Sequence, residues 1–123
     1  MNTKLINGNV WYDIEGNMFS SFCTGWTPNQ CKYSISEGIE KQWSILTKIG
    51  DESTFRTQPA FFLTIKGTEG ISYIYVSDRW NGKDYNDSRY VFLPVTFDEK
   101  DLPVMNYCDS FSVNVVTGRL YCF

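Results

Sequence analysis

No stretch of this chain brings an apolar residue back every third or fourth position over more than one turn; nearly every segment is a short β-branched or aromatic run closed by Gly, Asn, Asp or Pro. That pattern commits the backbone to strands. The runs predict strands near Asn9–Asp13, Asn17–Cys23, Gln30–Ser36, Trp43–Ile49, Pro59–Ile65, Ile71–Ser77, Arg89–Phe97, Val104–Tyr107, Ser112–Val116 and Arg119–Phe123, with at most one helical turn over Ser36–Gln42. Glu15-Gly16-Asn17, Gly67-Thr68-Glu69-Gly70 and Thr117-Gly118 sit between apolar runs and read as hairpin turns, because Gly and Asn reach the positive φ that tight turns require. The fold class expected is all-β and antiparallel.

At 123 residues, 42% of them hydrophobic, the chain has the size of one domain and can bury a core. Its net charge is −3, and its 11 basic residues are scattered with no Lys/Arg run, which argues against a nucleic-acid partner. His is absent. That removes the commonest general base, the Ser-His and Cys-His nucleophile pairs and most zinc sites, leaving acid-base work to carboxylates, Tyr, Lys or an amide. Neither a cofactor nor a metal is expected. No segment approaches the ~20 apolar residues of a membrane span, and Met1–Gly8 lacks the apolar run of a signal peptide, so neither a membrane partner nor an export signal is expected. Cys23, Cys31, Cys108 and Cys122 contain no Cys-x-x-Cys pair and read as buried free thiols, with a Cys23–Cys31 disulfide as the alternative if a parent protein is exported.

The two halves of the chain resemble each other. Met18–Cys23 leads through Thr24-Gly25-Trp26 and a polar loop to Gln30–Ser36; Ile71–Val76 leads through Asp78-Arg79-Trp80 and a longer polar loop to Arg89–Val95. Trp26 and Trp80 lie 54 positions apart, slightly beyond the ~40 to 50 of a propeller-blade repeat, and the longer second loop accounts for the excess. Each half would be a four-stranded antiparallel blade, over roughly 5–50 and 55–113, with a terminal hairpin over roughly 112–123. Two blades alone leave blade faces such as Phe61, Leu63, Ile74 and Val91 partly wet and strand edges open. The chain is therefore expected to be part of a longer propeller, or to associate with itself or a partner.

The loop between Ile71–Ser77 and Arg89–Phe97 is dense in charge and in ring faces: Asp78-Arg79-Trp80-Asn81, then Asp87-Ser88-Arg89-Tyr90. A hairpin needs only Gly or Asn there, whereas a sugar uses such a set, with hydroxyls bonded to Asp, Asn and Arg and the ring face stacked on Trp. The alternative is a solvated loop in which Asp78, Arg79, Asp87 and Arg89 form an ion-paired network. Trp26 and Trp80 are candidates for stacking on sugar or for inter-blade packing. Thr24, Arg79 and Asn81 are candidates for bonding its hydroxyls.

Taken in order, Cys23-Thr24-Gly25-Trp26-Thr27-Pro28-Asn29-Gln30, Tyr33-Ser34-Ile35-Ser36, Thr54-Phe55-Arg56-Thr57-Gln58-Pro59-Ala60-Phe61, Asp78-Arg79-Trp80-Asn81 and Asp87-Ser88-Arg89-Tyr90-Val91-Phe92-Leu93-Pro94 resemble the later blades of family 43 glycoside hydrolases, in the branch containing the exo-1,3-galactanases. The resemblance runs from about Cys23 to Tyr107. It implies a five-bladed β-propeller, of which about two blades are present, with the terminal sugar in a central cavity and reacting groups on the innermost strands. It also implies that Gln58 occupies the place of the amide that stands in for the missing base Asp in the galactanase motif Thr-Phe-x-Ser-Gln-Ser/Thr. Thr57 replaces the usual Ser, and Pro59 the usual Ser or Thr.

The family's general acid is a Glu in Glu-Ala-Pro or Glu-Gly-Pro, and no Glu-x-Pro occurs here. Counted back from Gln58 it would fall close to or before Met1, and Glu15, the nearest acid, reads as a solvated turn residue. The resemblance thus implies the C-terminal part of a galactan-cleaving hydrolase, inactive alone, whose full-length parent is extracellular or periplasmic. The other reading is a non-catalytic carbohydrate-binding or structural β module.

Overall fold

The computed structural model describes residues 9–12 and 18–22 as backbone, and residues 29–38, 40–100 and 102–123 in full. Strands β1 (Asn9–Tyr12), β2 (Met18–Phe22), β3 (Lys32–Ser36) and β4 (Thr47–Lys48) form one antiparallel sheet in chain order. Strands β5 (Gln58–Lys66), β6 (Ile71–Arg79), β7 (Arg89–Phe97) and β8 (Pro103–Met105) form a second with the same order and sense. A separate hairpin pairs β9 (Phe111–Val113) with β10 (Leu120–Cys122). Helical geometry among the described residues is confined to three-residue turns at Thr54–Arg56 and Tyr85–Asp87. The expected all-β, antiparallel class is observed. Sequence neighbours pair because two to ten residues suffice to reverse an antiparallel strand.

The two sheets share one core. Cys31, Tyr33 and Ile49 of the first pack with Tyr73, Tyr75, Leu93, Val95 and Met105 of the second, and β5 lies against β1 and β2. Tyr73, Tyr75 and Ser77 alternate along β6 toward that core, while Ile74 and Val76 face the other way and are buried as well. Phe61 and Leu63 oppose Val76 and Ile74 on β5 and are 50% and 41% exposed; Phe92 and Val104 flank the same outer face and are also exposed. The expected wet face is therefore present in Phe61 and Leu63. It does not include Ile74, which its strand neighbours cover at 3% exposure, or Val91, which packs against the shared core.

Pro94 sits inside β7, where a missing N–H would ordinarily break a ladder. Here β8 ends at Met105, and just beyond it the N–H of Asn106 donates to the Pro94 carbonyl at 3.4 Å. β4 is shorter than the Trp43–Ile49 expectation. Ser44 takes over the ladder there: its N–H donates to Ile35 O at 2.8 Å and its Oγ accepts from Ile35 N at 3.0 Å. Ile45 and Leu46 then bulge outward to 82% and 40% exposure.

The β9–β10 hairpin docks by backbone contact. Thr68 N and Glu69 N donate to Val116 O and Thr117 O at 2.8 and 2.9 Å, and Ser72 Oγ donates to Gly118 O. A Cβ on Gly67 would collide with the main chain of Thr117 and Gly118, so this approach demands glycine; Gly118 itself sits at φ 79°. A disulfide between Cys108 and Cys122, with Cα atoms 5.9 Å apart, closes the base of the hairpin. Cys31 is disulfide-bonded too. The free-thiol expectation is thus corrected: the β9–β10 hairpin folds back and brings the Cys108 and Cys122 sulfurs within bonding range. The Cys23 and Glu15-Gly16-Asn17 expectations lie outside the described residues.

Candidate functional site

At one end of the second sheet β5 begins, β6 ends and β7 begins. Cross-strand partners there are Gln58 with Asp78 and Asp78 with Tyr90, followed by Arg79 with Arg89. Residues directly opposite share a sheet face, so Gln58, Asp78 and Tyr90 form a row on the outer face with Phe61 and Phe92. Arg79 and Arg89 leave by the other face. Strand alternation thus divides the expected site residues between two surfaces.

Gln58 is half-buried at the first position of β5. It is delivered there by Thr54, Phe55 and Arg56, three consecutive residues at φ 52°, 55° and 58°. Left-handed backbone is costly for a β-branched residue, and the surroundings hold it. Thr54 is fully buried, its Oγ1 accepting from Cys31 N at 2.7 Å and donating to Asn29 O at 2.8 Å. Asp51 Oδ1 accepts from Ser53 N and Phe55 N, and Arg79 Nη2 donates to Phe55 O at 2.6 Å. Phe55 also meets the Tyr107 ring, with centroids 5.5 Å apart.

Thr57 points inward, its Oγ1 donating to Thr54 O at 2.6 Å and lying 3.0 Å from Tyr75 Oη. A serine hydroxyl can make the same bonds, so the Thr57 departure keeps the geometry. Pro59 is buried opposite Ser77, and the ladder shifts register between Pro59 and Phe61. A bulge is where a strand accommodates a missing N–H.

Burial pushes the Tyr75 hydroxyl up from 10.0 to about 12, against the opposing effect of its hydrogen bonds with Thr57 and Ser77. A phenol held protonated by burial contributes stability that is full below pH 10 and lost as the pH rises toward 12; two units correspond to about 2 to 3 kcal/mol. Denaturant unfolding at pH 9 and pH 12 is expected to show that loss, and Tyr75→Phe is expected to flatten it. A wild-type stability unchanged across the interval would refute the assignment.

Asn81 and its loop are built by local hydrogen bonds. Asn81 N donates to Ser88 Oγ at 2.9 Å, while Asn81 Oδ1 accepts from Lys83 N and Asp84 N at 3.0 and 3.4 Å. Trp80, 39% exposed, stacks on Tyr85 with centroids 6.0 Å apart and planes at 26°. The expected four-member ion network is corrected to one exposed pair, Arg89 with Asp87 at 2.6 Å. Asp78 and Arg79 face opposite ways, so neither reaches the other. Instead a hollow of about 470 Å³ opens beside the loop, lined by Arg56, Arg79, Lys83 and Arg89 together with Asp87 and Trp80. Nothing in the sequence singles out Arg56 or Lys83 beyond the place of Arg56 two residues before Gln58. Thr24 and Trp26 lie outside the described residues. Among the described residues no group of His, Cys, Asp or Glu is arranged to hold a metal, and no helix is long and apolar enough to cross a membrane.

Superposition on solved structures matches 1,3Gal43A, the exo-β-1,3-galactanase of Clostridium thermocellum, at a TM-score of 0.86 and 34% identity over 95% of this chain and 26% of that one. A GH43 β-1,3-galactosidase solved with galactodeoxynojirimycin matches at 0.71 and 30% identity, over 85% of this chain and 31% of that one. Over nearly its whole length the chain is thus similar to part of the glycoside hydrolases of family 43. Within the family it is also similar to the exo-β-1,3-galactanase of Phanerochaete chrysosporium, a variant of which was solved with β-1,3-galactotriose: TM-score 0.84, 28% identity, 100% of this chain and 28% of that one. The chain spans between about a quarter and a third of the length of these relatives. No protein-family model and no curated protein matches it.

Proposed function

We propose that this chain supplies two blades of a five-bladed propeller in a family 43 hydrolase that cleaves β-1,3-linked galactan, with Gln58 on the wall of the sugar cavity. The observation that carries the reading is the 34% identity and 0.86 TM-score to a galactanase over nearly the whole chain, together with Gln58 standing at the first residue of β5. An amide is too weak a base to take a proton outright, so the role assigned to Gln58 is to orient the attacking water and the sugar by hydrogen bonds. Phe61, Leu63, Phe92 and Val104, exposed together on one face, suit the cover of a neighbouring blade. Without the Glu-x-Pro acid, the 123-residue chain is assigned no turnover of its own, and its bare face is assigned a tendency to self-associate.

A chimera tests this reading. The chain replaces the matching 26% of the Clostridium thermocellum enzyme, and galactose release from β-1,3-galactan is measured beside the isolated chain. Release by the chimera and none by the chain is the expected result. A folded chimera that binds galactotriose without cleaving it would favour the non-catalytic binding module, and turnover by the isolated chain would overturn the proposed division of the site.

A further inference from the structure

Four of the chain's 11 basic residues, Arg56, Arg79, Lys83 and Arg89, converge on the hollow beside the loop that joins β6 to β7. In a chain of net charge −3 this is a local reversal of sign. The one acid on the wall, Asp87, is already held by Arg89 at 2.6 Å. Among the described residues Arg56 and Lys83 make no ion pair. Arg79 uses Nη2 on Phe55 O, while its Nε is buried with no hydrogen-bond partner. Anchored in this way, the guanidinium places its positive charge on the wall of the hollow, where an anionic oxygen is favoured.

The hollow also has features that a bare anion does not need. Its volume of about 470 Å³ is that of a small-molecule site. Trp80, 39% exposed and stacked on the Tyr85 ring, forms part of the wall, and an indole suits the apolar side of a sugar ring. The hollow opens at the same sheet end as Gln58, since Gln58–Asp78 and Arg79–Arg89 are adjacent rungs.

We propose that this hollow binds a saccharide bearing an anionic group, a carboxylate or a sulfate ester, held by Arg56, Arg79 and Lys83 with its ring against Trp80. The proposal rests on the carbohydrate reading above and extends it from neutral galactan to chains with charged substituents.

The test titrates galactose, galacturonate, galactose 6-sulfate and inorganic sulfate into the full 123-residue chain by calorimetry. The charged sugars are expected to bind roughly tenfold or more tightly than galactose, with affinity falling as salt is raised. Their ranking identifies whether carboxylate or sulfate is preferred. Arg56→Gln and Lys83→Gln, both at exposed positions, are each expected to weaken that binding roughly three- to tenfold with unchanged circular dichroism. Equal affinity for galactose, no sugar binding, or inorganic sulfate bound as tightly as the charged sugars would overturn the proposal. The chimera separates the two readings: galactan hydrolysis without a preference for charged sugars defeats only this inference, and charged-sugar binding without hydrolysis by a folded chimera defeats only the catalytic one.

Discussion

In the chimeric galactanase, Gln58→Ala is expected to lower turnover of β-1,3-galactan by roughly 10²- to 10⁴-fold, the loss associated with removing positioned assistance to proton transfer, while the affinity for galactose changes far less. Gln58 is the first residue of β5, its strand entry is set by the left-handed turn at Thr54–Arg56, and its inner neighbour Thr57 is tied to Thr54 and Tyr75. The strand entry that carries the Gln58 side chain is thus fixed, as the proposed role of orienting a water requires. Were its role only to bond the bound sugar, the effect would appear in affinity, at about 0.5 to 1.5 kcal/mol. Were it only structural, thermal stability would fall with turnover per folded molecule nearly intact. Steady-state kinetics on folded Gln58→Ala and Gln58→Glu separate these outcomes, and near-normal turnover in the alanine variant ends the catalytic assignment.

Removing the Cys108–Cys122 disulfide with a Cys108→Ser/Cys122→Ser double variant is expected to cost about 3 kcal/mol, the entropy of closing a loop of this size in the unfolded chain. The sulfurs are separated by 14 positions and join the segment after β8 to the end of β10. Against the ~5 to 15 kcal/mol that stabilises an ordinary domain, such a loss should be plain. Urea unfolding of the double variant, and of the wild type with and without reductant, measures it. The hairpin's other anchors are the backbone contacts of Thr68 and Glu69 with Val116 and Thr117, so the expected intermediate is one with β9–β10 released and the two four-stranded sheets intact. Identical urea midpoints for variant and wild type would show that those contacts hold the hairpin without help.

The elements legible in the sequence are those whose information is local. The expected strand Arg89–Phe97 has the ends of β7, and the Gly67–Gly70 and Thr117-Gly118 turns fall where the hairpins reverse. Alternation and turn chemistry act over a few residues, so a one-dimensional reading captures them. β4 was overextended because Trp43–Ile49 alternates like a strand, and nothing within it announces that the Ser44 side chain displaces the main-chain ladder. At the candidate site, the strand start at Gln58 could be read from the apolar run Pro59–Ile65 that follows it. The left-handed run Thr54-Phe55-Arg56 could not, because no Gly or Asn marks it and its cost is met by Cys31, Asn29 and Arg79 from other parts of the chain.

The sequence by itself therefore determined that the chain is all-β, that its strands pair in order as antiparallel meanders, and that its motifs are those of family 43. Tertiary structure alone decided that Cys108 meets Cys122 and that Ile74 and Val91 are covered while Phe61 and Leu63 are not. It also gathered Arg56, Arg79, Lys83 and Arg89 around one hollow. The physical reason is range: hydrophobic alternation is encoded between neighbours along a strand, whereas a disulfide, a covered face or a cluster of charge depends on distances between residues that only the packed sheets bring together.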